Sequence, residues 1–204
     1  LNASRTSFEL PNFPTSPMSA KQIMDDLISD KYKGASKAGP QDGGGGKVII
    51  RPQEEKGEYS VILQDLYEAP YFGFQIYTGP GLTFSEKMEY LFDRIDRLIP
   101  EKSKIYRQWA HELLSTAQTD FVLGVILPKT EDSGIAPIPV GGFLVQIAVQ
   151  RSEPMMLLPG VKRYLIDRNL FFHLDTESQA GLVLHEIIYR DIRSRSTQMS
   201  SERL

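Results

Sequence analysis

The hydrophobic residues of this chain recur at helical spacing in two adjacent segments and predict a pair of amphipathic helices. Thr83 and Glu86 have the spacing of a capping box, so we expect the first helix to begin there. Its apolar positions are Met88, Leu91, Phe92, Ile95, Leu98 and Ile99. After Pro100 a second helix is predicted over about residues 101–117, with Ile105, Trp109, Leu113 and Ala117 on one face. So short a connection predicts a helical hairpin or a kinked pair packed against a sheet.

Runs of β-branched and aromatic residues predict five strands. These are Lys47–Arg51, Tyr59–Leu63, Asp120–Leu127, Phe143–Gln150 and Arg163–Asp167. A charged turn joins the first two, and we expect the third and fourth to pair antiparallel.

The last strongly apolar segment predicts a C-terminal helix over about residues 176–194, capped by Asp175 or Thr176. A short helical turn, Asn169–Leu174, precedes it, and Ser19 is expected to cap another helix over about 20–32. Strands and helices occur in blocks rather than in strict alternation. This order favours an α+β fold, with a small antiparallel or mixed sheet packed against the helix pair and a buried C-terminal helix.

The remaining segments predict the domain organisation. Residues 1–46 are expected to form an extended arm, the short helix and a glycine-rich linker, followed by a single α+β domain over 47–195 and a polar tail over 196–204. Within residues 1–17, Phe8, Leu10 and Phe13 are apolar and can dock the arm on a protein partner, on a second copy or on its own domain.

The glycine run Gly34–Gly46 ends next to Lys47, which invites comparison with a phosphate-binding loop. The spacing excludes that motif, because position 41 is Gln where glycine is required and position 48 is Val where Ser or Thr is required. A flexible linker is the remaining interpretation.

Composition narrows the classes of function. The 204 residues carry a net charge of −3, which disfavours broad nucleic-acid binding. The chain has no cysteine, which excludes disulfides, thiolate zinc sites and a cysteine nucleophile. No apolar run approaches the roughly 20 residues of a membrane span.

The C-terminal helix contains the pattern His185-Glu186-x-x-Tyr189-Arg190. A zinc-protease helix carries a second His four residues after the first, and here Tyr189 occupies that position. Because the flanking residues are apolar almost all round the helix, we interpret His185, Glu186, Tyr189 and Arg190 as a structural polar network that fixes a buried helix. The alternative is catalysis by Glu186 and His185.

Two further sets of residues are candidates for binding. A metal site would have to be assembled from the three histidines, His111, His173 and His185, none of which has a second His at helical spacing. An aromatic cluster punctuated by Gly and Pro can form a platform for a sugar or a peptide, or can cover a core. Its members are Tyr67, Tyr71, Phe72, Phe74 and Tyr77.

Several segments together carry a resemblance. They are the glycine run leading into Lys47–Ile50, Asp65–Ala69, Gln146–Gln150, Leu174-Asp175 and His185–Arg190. Over about residues 43–193 the chain resembles a group of uncharacterised secreted or envelope-associated proteins of predatory and related Gram-negative bacteria. Members of that group carry cysteines where this chain has Ile50 and Phe143, which implies that these two positions lie on neighbouring strands. The resemblance also implies a removed signal peptide and a periplasmic or secreted protein, and it brings no catalytic residue.

We therefore expect an exported interaction or structural protein of the cell envelope without catalytic activity or cofactor, such as a subunit of an assembly that binds a protein partner or itself through residues 1–17. Nucleic-acid binding and a transmembrane span are not expected. The alternative function is a metal-dependent hydrolase that uses His185 and Glu186.

Overall fold

Two small sheets, a helix pair and a long C-terminal helix form an α+β fold, as predicted. The computed structural model describes residues 7–10, 12–13, 18–29, 45–53, 58–117, 121–122, 127, 137–151, 159 and 162–195. The helices are α1 (Ala20–Ile28), α2 (Gln64–Glu68), α3 (Phe84–Leu98), α4 (Pro100–Ser115), α5 (Arg168–His173) and α6 (Thr176–Arg195). The strands are β1 (Lys47–Gln53), β2 (Glu58–Leu63), β3 (Phe121–Val122), β4 (Phe143–Gln146), β5 (Ala148–Gln150) and β6 (Tyr164–Asp167).

The first sheet is antiparallel, with β1 between β2 and β4. The first four residues of β1 are buried and its last three are exposed. Ile50 lies opposite Phe143 in the register of β1 and β4. This pairing confirms that the two positions are on neighbouring strands.

The second sheet is mixed, because β6 pairs parallel with β3 and antiparallel with β5. The predicted strand Phe143–Gln150 divides at Ile147, whose amide donates to the carbonyl of Gly46 while its own carbonyl accepts from Asp167. One half of the segment joins each sheet. The predicted antiparallel pairing with Asp120–Leu127 is wrong, because β6 lies between β3 and β5. Of that predicted strand, 120 and 123–126 lie outside the described residues.

The helix pair forms as predicted. The side chain of Thr83 accepts from the amide of Glu86, and the Glu86 carboxylate accepts from the amide of Thr83. Pro100 occupies the first turn of α4, where its missing N–H leaves no hydrogen bond unmade. The two helices pack against each other and against α6. Met88 and Phe92 of α3 and Ala110 of α4 are fully buried at this contact with the core.

The C-terminal helix α6 begins where the Asp175 carboxylate accepts from the amide of Ser178. Leu182 and Ile187 are fully buried, and α6 contacts α3, α4 and β2. No helix within the described part of the chain is both long and apolar enough to cross a membrane.

The N-terminal arm packs on this chain's own core. Phe8 is fully buried, and its ring stacks on Phe92 at 4.9 Å and on His111 at 4.5 Å. Leu10 and Phe13 pack against the same core. Docking on its own domain, one of the expected modes, therefore covers Phe8 fully and Leu10 and Phe13 in part. Residues 1–6, 11 and 14–17 lie outside the described part.

Candidate functional site

His185 connects α6 to α2. Its Nδ1 lies 2.6 Å from Oδ2 of Asp65, and the histidine side chain is almost fully buried. Because Asp65 belongs to the short helix that leads into the aromatic segment, this contact fixes that helix against α6.

Glu186 connects α6 to Gly46, the residue before β1, and to β5. The amide of Gly46 donates to its Oε1 at 2.9 Å, and the amide nitrogen of Gln150 donates to its Oε2 at 3.1 Å. Glu186 is completely buried, and this burial raises the pKa of its carboxyl. A catalytic base must reach substrate or water, so the placement of Glu186 does not support the catalytic alternative.

Gly46 reaches this carboxylate because it has no side chain. A Cβ at this position would lie 2.3 Å from Cδ1 of Leu182. Gly45 and Gly46, the last residues of the predicted linker, are buried parts of the fold, and residues 34–44 lie outside the described part.

Arg190 contacts α4 rather than the partners of His185 and Glu186. Its guanidinium donates to Glu112 of α4 at 3.0 Å and lies 4.4 Å from the ring centre of Trp109. Tyr189 is fully buried, with its ring centre 6.3 Å from that of His185. His185, Glu186 and Arg190 thus contact different elements: α2, the start of the first sheet at Gly46 together with β5, and α4.

The three histidines are held by different partners. His111 stacks on Phe8, His173 lies 2.6 Å from the carbonyl oxygen of Met18, and His185 contacts Asp65. Among the described residues, no group of three or more His, Asp or Glu side chains is arranged to hold a metal ion. Within the described part of the chain, the three histidines therefore do not share a metal site.

The aromatic segment is largely exposed. It follows α2 as a 3₁₀ helix, Ala69–Phe72, and then continues without regular secondary structure to Tyr77. Tyr71, Phe74 and Tyr77 are 60%, 66% and 53% exposed, and Phe72 and Ile76 are each nearly half exposed. Tyr67 is partly buried, and its hydroxyl donates to the carbonyl of Pro137 at 2.9 Å.

The backbone of this segment is fixed at both ends. Gly73 adopts a left-handed conformation with φ 75° and ends the 3₁₀ helix, while the amide of Phe74 donates to the carbonyl of Ala69. At the other end, the buried Thr78 hydroxyl donates to Glu177 of α6 at 2.6 Å. The exposed side chains therefore project from an ordered backbone.

A groove of about 580 Å³ lies between this segment and the start of α6. It is lined by Ile62, Leu66, Ala69, Pro70, Gly73, Phe74, Gln75, Ile76, Asp175 and Glu177. The groove combines an apolar floor with carboxylates at the start of α6, the composition of a site for an amphipathic ligand.

Comparison with other proteins adds no function. The chain matches no protein-family model, and neither a curated protein nor a solved structure is significantly similar to it. What the site does is therefore inferred from its contacts.

The sequence indicated the aromatic residues of this site but not its polar residues. Asp175 has the position of a helix cap, and no sequence pattern distinguishes Glu177. Asp65 and His185 are separated by 120 positions, so no local spacing predicts their contact.

Proposed function

We propose that this protein is a non-enzymatic interaction protein that binds a partner protein through the exposed aromatic segment Tyr71–Tyr77. The observation that carries the proposal is the exposure of five large hydrophobic side chains on a backbone that is fixed at both ends. Exposed apolar clusters on an ordered surface are typical of protein interaction sites, where aromatic residues contribute most of the binding energy.

The five side chains supply only part of the binding energy that a stable complex needs, so the interface must also include neighbouring surface. Fully burying one such side chain contributes about 1.5–3 kcal/mol, so five half-exposed side chains contribute roughly half of that each. Association costs at least about 4 kcal/mol in lost translation and rotation, plus about 0.5–1.5 kcal/mol for each side chain that must be ordered. Contacts at Gly73 and Thr78 already hold the loop backbone in the free protein. Less conformational entropy is therefore lost on binding.

Two residues of α6, His185 and Glu177, serve this surface as a scaffold. His185 fixes α2 through Asp65, and Glu177 fixes the end of the segment through Thr78. The pattern that resembled a protease motif thus orients the binding segment from the inside.

We also propose that the partner is met in the cell envelope, as a component of an assembly there. The resemblance to secreted and envelope-associated proteins supports this location. Fractionation of cells that make the protein tests it, and recovery only in the cytoplasmic fraction would contradict it.

The interaction is tested with the double variant Phe72→Ser/Phe74→Ser. Both side chains are exposed, so the melting temperature should stay within about 2 °C of wild type, while the partner that co-purifies with wild type should be lost. Leu98→Ser is the matched control, because Leu98 is an exposed hydrophobic residue at the far end of α3. Equal recovery of the partner by the double variant and the control would refute the proposal.

A further inference from the structure

We infer that the groove beside Phe74 binds a basic, apolar peptide segment of the partner protein. This inference deepens the proposed function and rests on it, because it assigns a chemical class to the segment that the aromatic surface would bind.

The floor of the groove selects apolar side chains. Ile62 and Leu66 come from β2 and α2, and Ala69 and Pro70 from the 3₁₀ helix. The hydrophobic effect favours burial of aliphatic groups against such a surface, and it contributes about 25 cal/mol of binding free energy for each Å² of apolar area covered. A volume of about 580 Å³ is large enough for two or three side chains rather than a single methyl group.

The polar side of the groove selects positive charge. Asp175 and Glu177 both line it, and none of the described lining residues is Lys, Arg or His. The hydrogen bond from Thr78 holds one oxygen of Glu177, so its carboxylate is oriented before a ligand arrives. An acidic peptide or a nucleic-acid backbone would meet like charge here.

Lys and Arg fit both sides of the groove at once. Their methylene stems cover apolar surface while the charged group stays at its edge, and a cation can also lie over the exposed Phe74 ring. A segment in which Lys or Arg neighbours Leu, Ile or Val therefore complements the apolar floor and the two carboxylates together.

The test begins with a random dodecapeptide library displayed on phage and selected on the wild-type protein. A selected peptide is then synthesised with a fluorescein label, and its binding is measured by fluorescence anisotropy. We expect the selected peptides to be enriched in Lys or Arg next to aliphatic residues.

The carboxylates are tested with the double variant Asp175→Asn/Glu177→Gln. Asn retains the helix cap and Gln retains an acceptor for Thr78, so the fold should be unchanged. Each exposed charge pair contributes about 0.2–1 kcal/mol, so the peptide should bind roughly 2- to 30-fold more weakly to the double variant. Glu101→Gln, on the exposed first turn of α4, is the matched control and should bind like wild type.

Three results would overturn the inference: enrichment of peptides without basic residues, equal affinity of the wild type and the double variant, or selection of no peptide at all. Self-association of the protein that the peptide does not displace would also overturn it, since the face would then belong to a second copy. The first three results do not affect loss of the partner in Phe72→Ser/Phe74→Ser, so failure of the groove inference and failure of the proposed function are distinguishable.

Discussion

Replacing Gly46 with alanine tests whether the end of the glycine run packs against α6. The added Cβ would lie 2.3 Å from Cδ1 of Leu182, which is fully buried. Overpacking of this kind costs about 1–3 kcal/mol, because the neighbouring side chain must leave its preferred position. Alanine also restricts the unfolded chain, which offsets about 0.4–1 kcal/mol. We therefore expect a net loss of about 1–2 kcal/mol.

A double-mutant cycle with Leu182→Ala isolates this contact. Leu182→Ala alone removes a buried side chain and should cost about 2–5 kcal/mol. In Gly46→Ala/Leu182→Ala the new methyl group enters the space that Leu182 vacated. The double variant should therefore be more stable than the sum of the single effects predicts, by about 1–2 kcal/mol.

Gly73→Ala is the matched control for the backbone. A Cβ at Gly73 has no atom within 4 Å, but φ is 75°, so its cost of about 1–2 kcal/mol comes from the left-handed conformation alone. Its effect should add to that of Leu182→Ala within about 0.5 kcal/mol. Stability is measured by urea unfolding, in which each variant should shift the midpoint urea concentration without changing the slope of unfolding free energy against urea concentration. Additive effects of Gly46→Ala and Leu182→Ala would refute the proposed packing.

Three further predictions concern buried and anchoring groups. Glu186→Ala should lower the free energy of unfolding by about 1–3 kcal/mol, because buried donors from Gly46 and Gln150 lose their acceptor. Glu186→Gln keeps an acceptor oxygen and should cost less. If urea unfolding showed Glu186→Gln to be the less stable variant, this contact would be contradicted. Burial raises the pKa of Asp167 from 3.8 to about 6, so its ionised form is disfavoured in the folded protein and stability is lost as the pH rises through about 4 to 6. Asp167→Asn removes this dependence on pH. The unfolding free energy of the variant minus that of wild type should therefore rise by about 2–3 kcal/mol between pH 4 and pH 7. A difference that stays constant over this range would contradict the prediction. Thr78→Val removes the hydrogen bond to Glu177 with little change in side-chain shape. Amide hydrogen exchange should become faster in residues 74–79 and stay unchanged in α3. Unchanged exchange in residues 74–79 would show that this bond does not fix the segment.

Elements with local signals were predictable from the sequence. The capping box at Thr83 and Glu86 set the start of α3, and Pro100 marked the junction with α4. The strand pairing of Phe143–Gln150 was not predictable. Its alternating side chains show which residues point to each face of a sheet, but they do not show which strands lie beside it. The switch between sheets at Ile147 depends on the carbonyl of Gly46, about 100 positions away.

The candidate site was predictable only in part. Aromatic residues between glycines and prolines drew attention to the segment, yet composition alone does not distinguish a core cover from a binding surface. Exposure of Phe74 and the hydrogen bond of Thr78 distinguish them, and both depend on the position of α6. His185 and Glu186 were recognised as a polar pair in an apolar helix, but their partners Asp65 and Gly46 are remote in sequence.

The central claim is that the aromatic segment contacts a partner protein. The most direct measurement places a photoreactive phenylalanine analogue at position 74, and in a separate variant at position 98, in cells that make the protein. After irradiation, mass spectrometry identifies the cross-linked products. A discrete product formed from position 74 and not from position 98 is the expected result, because Phe74 lies in the proposed interface and Leu98 is exposed elsewhere. The same products from both positions, or no product from position 74, would contradict the claim.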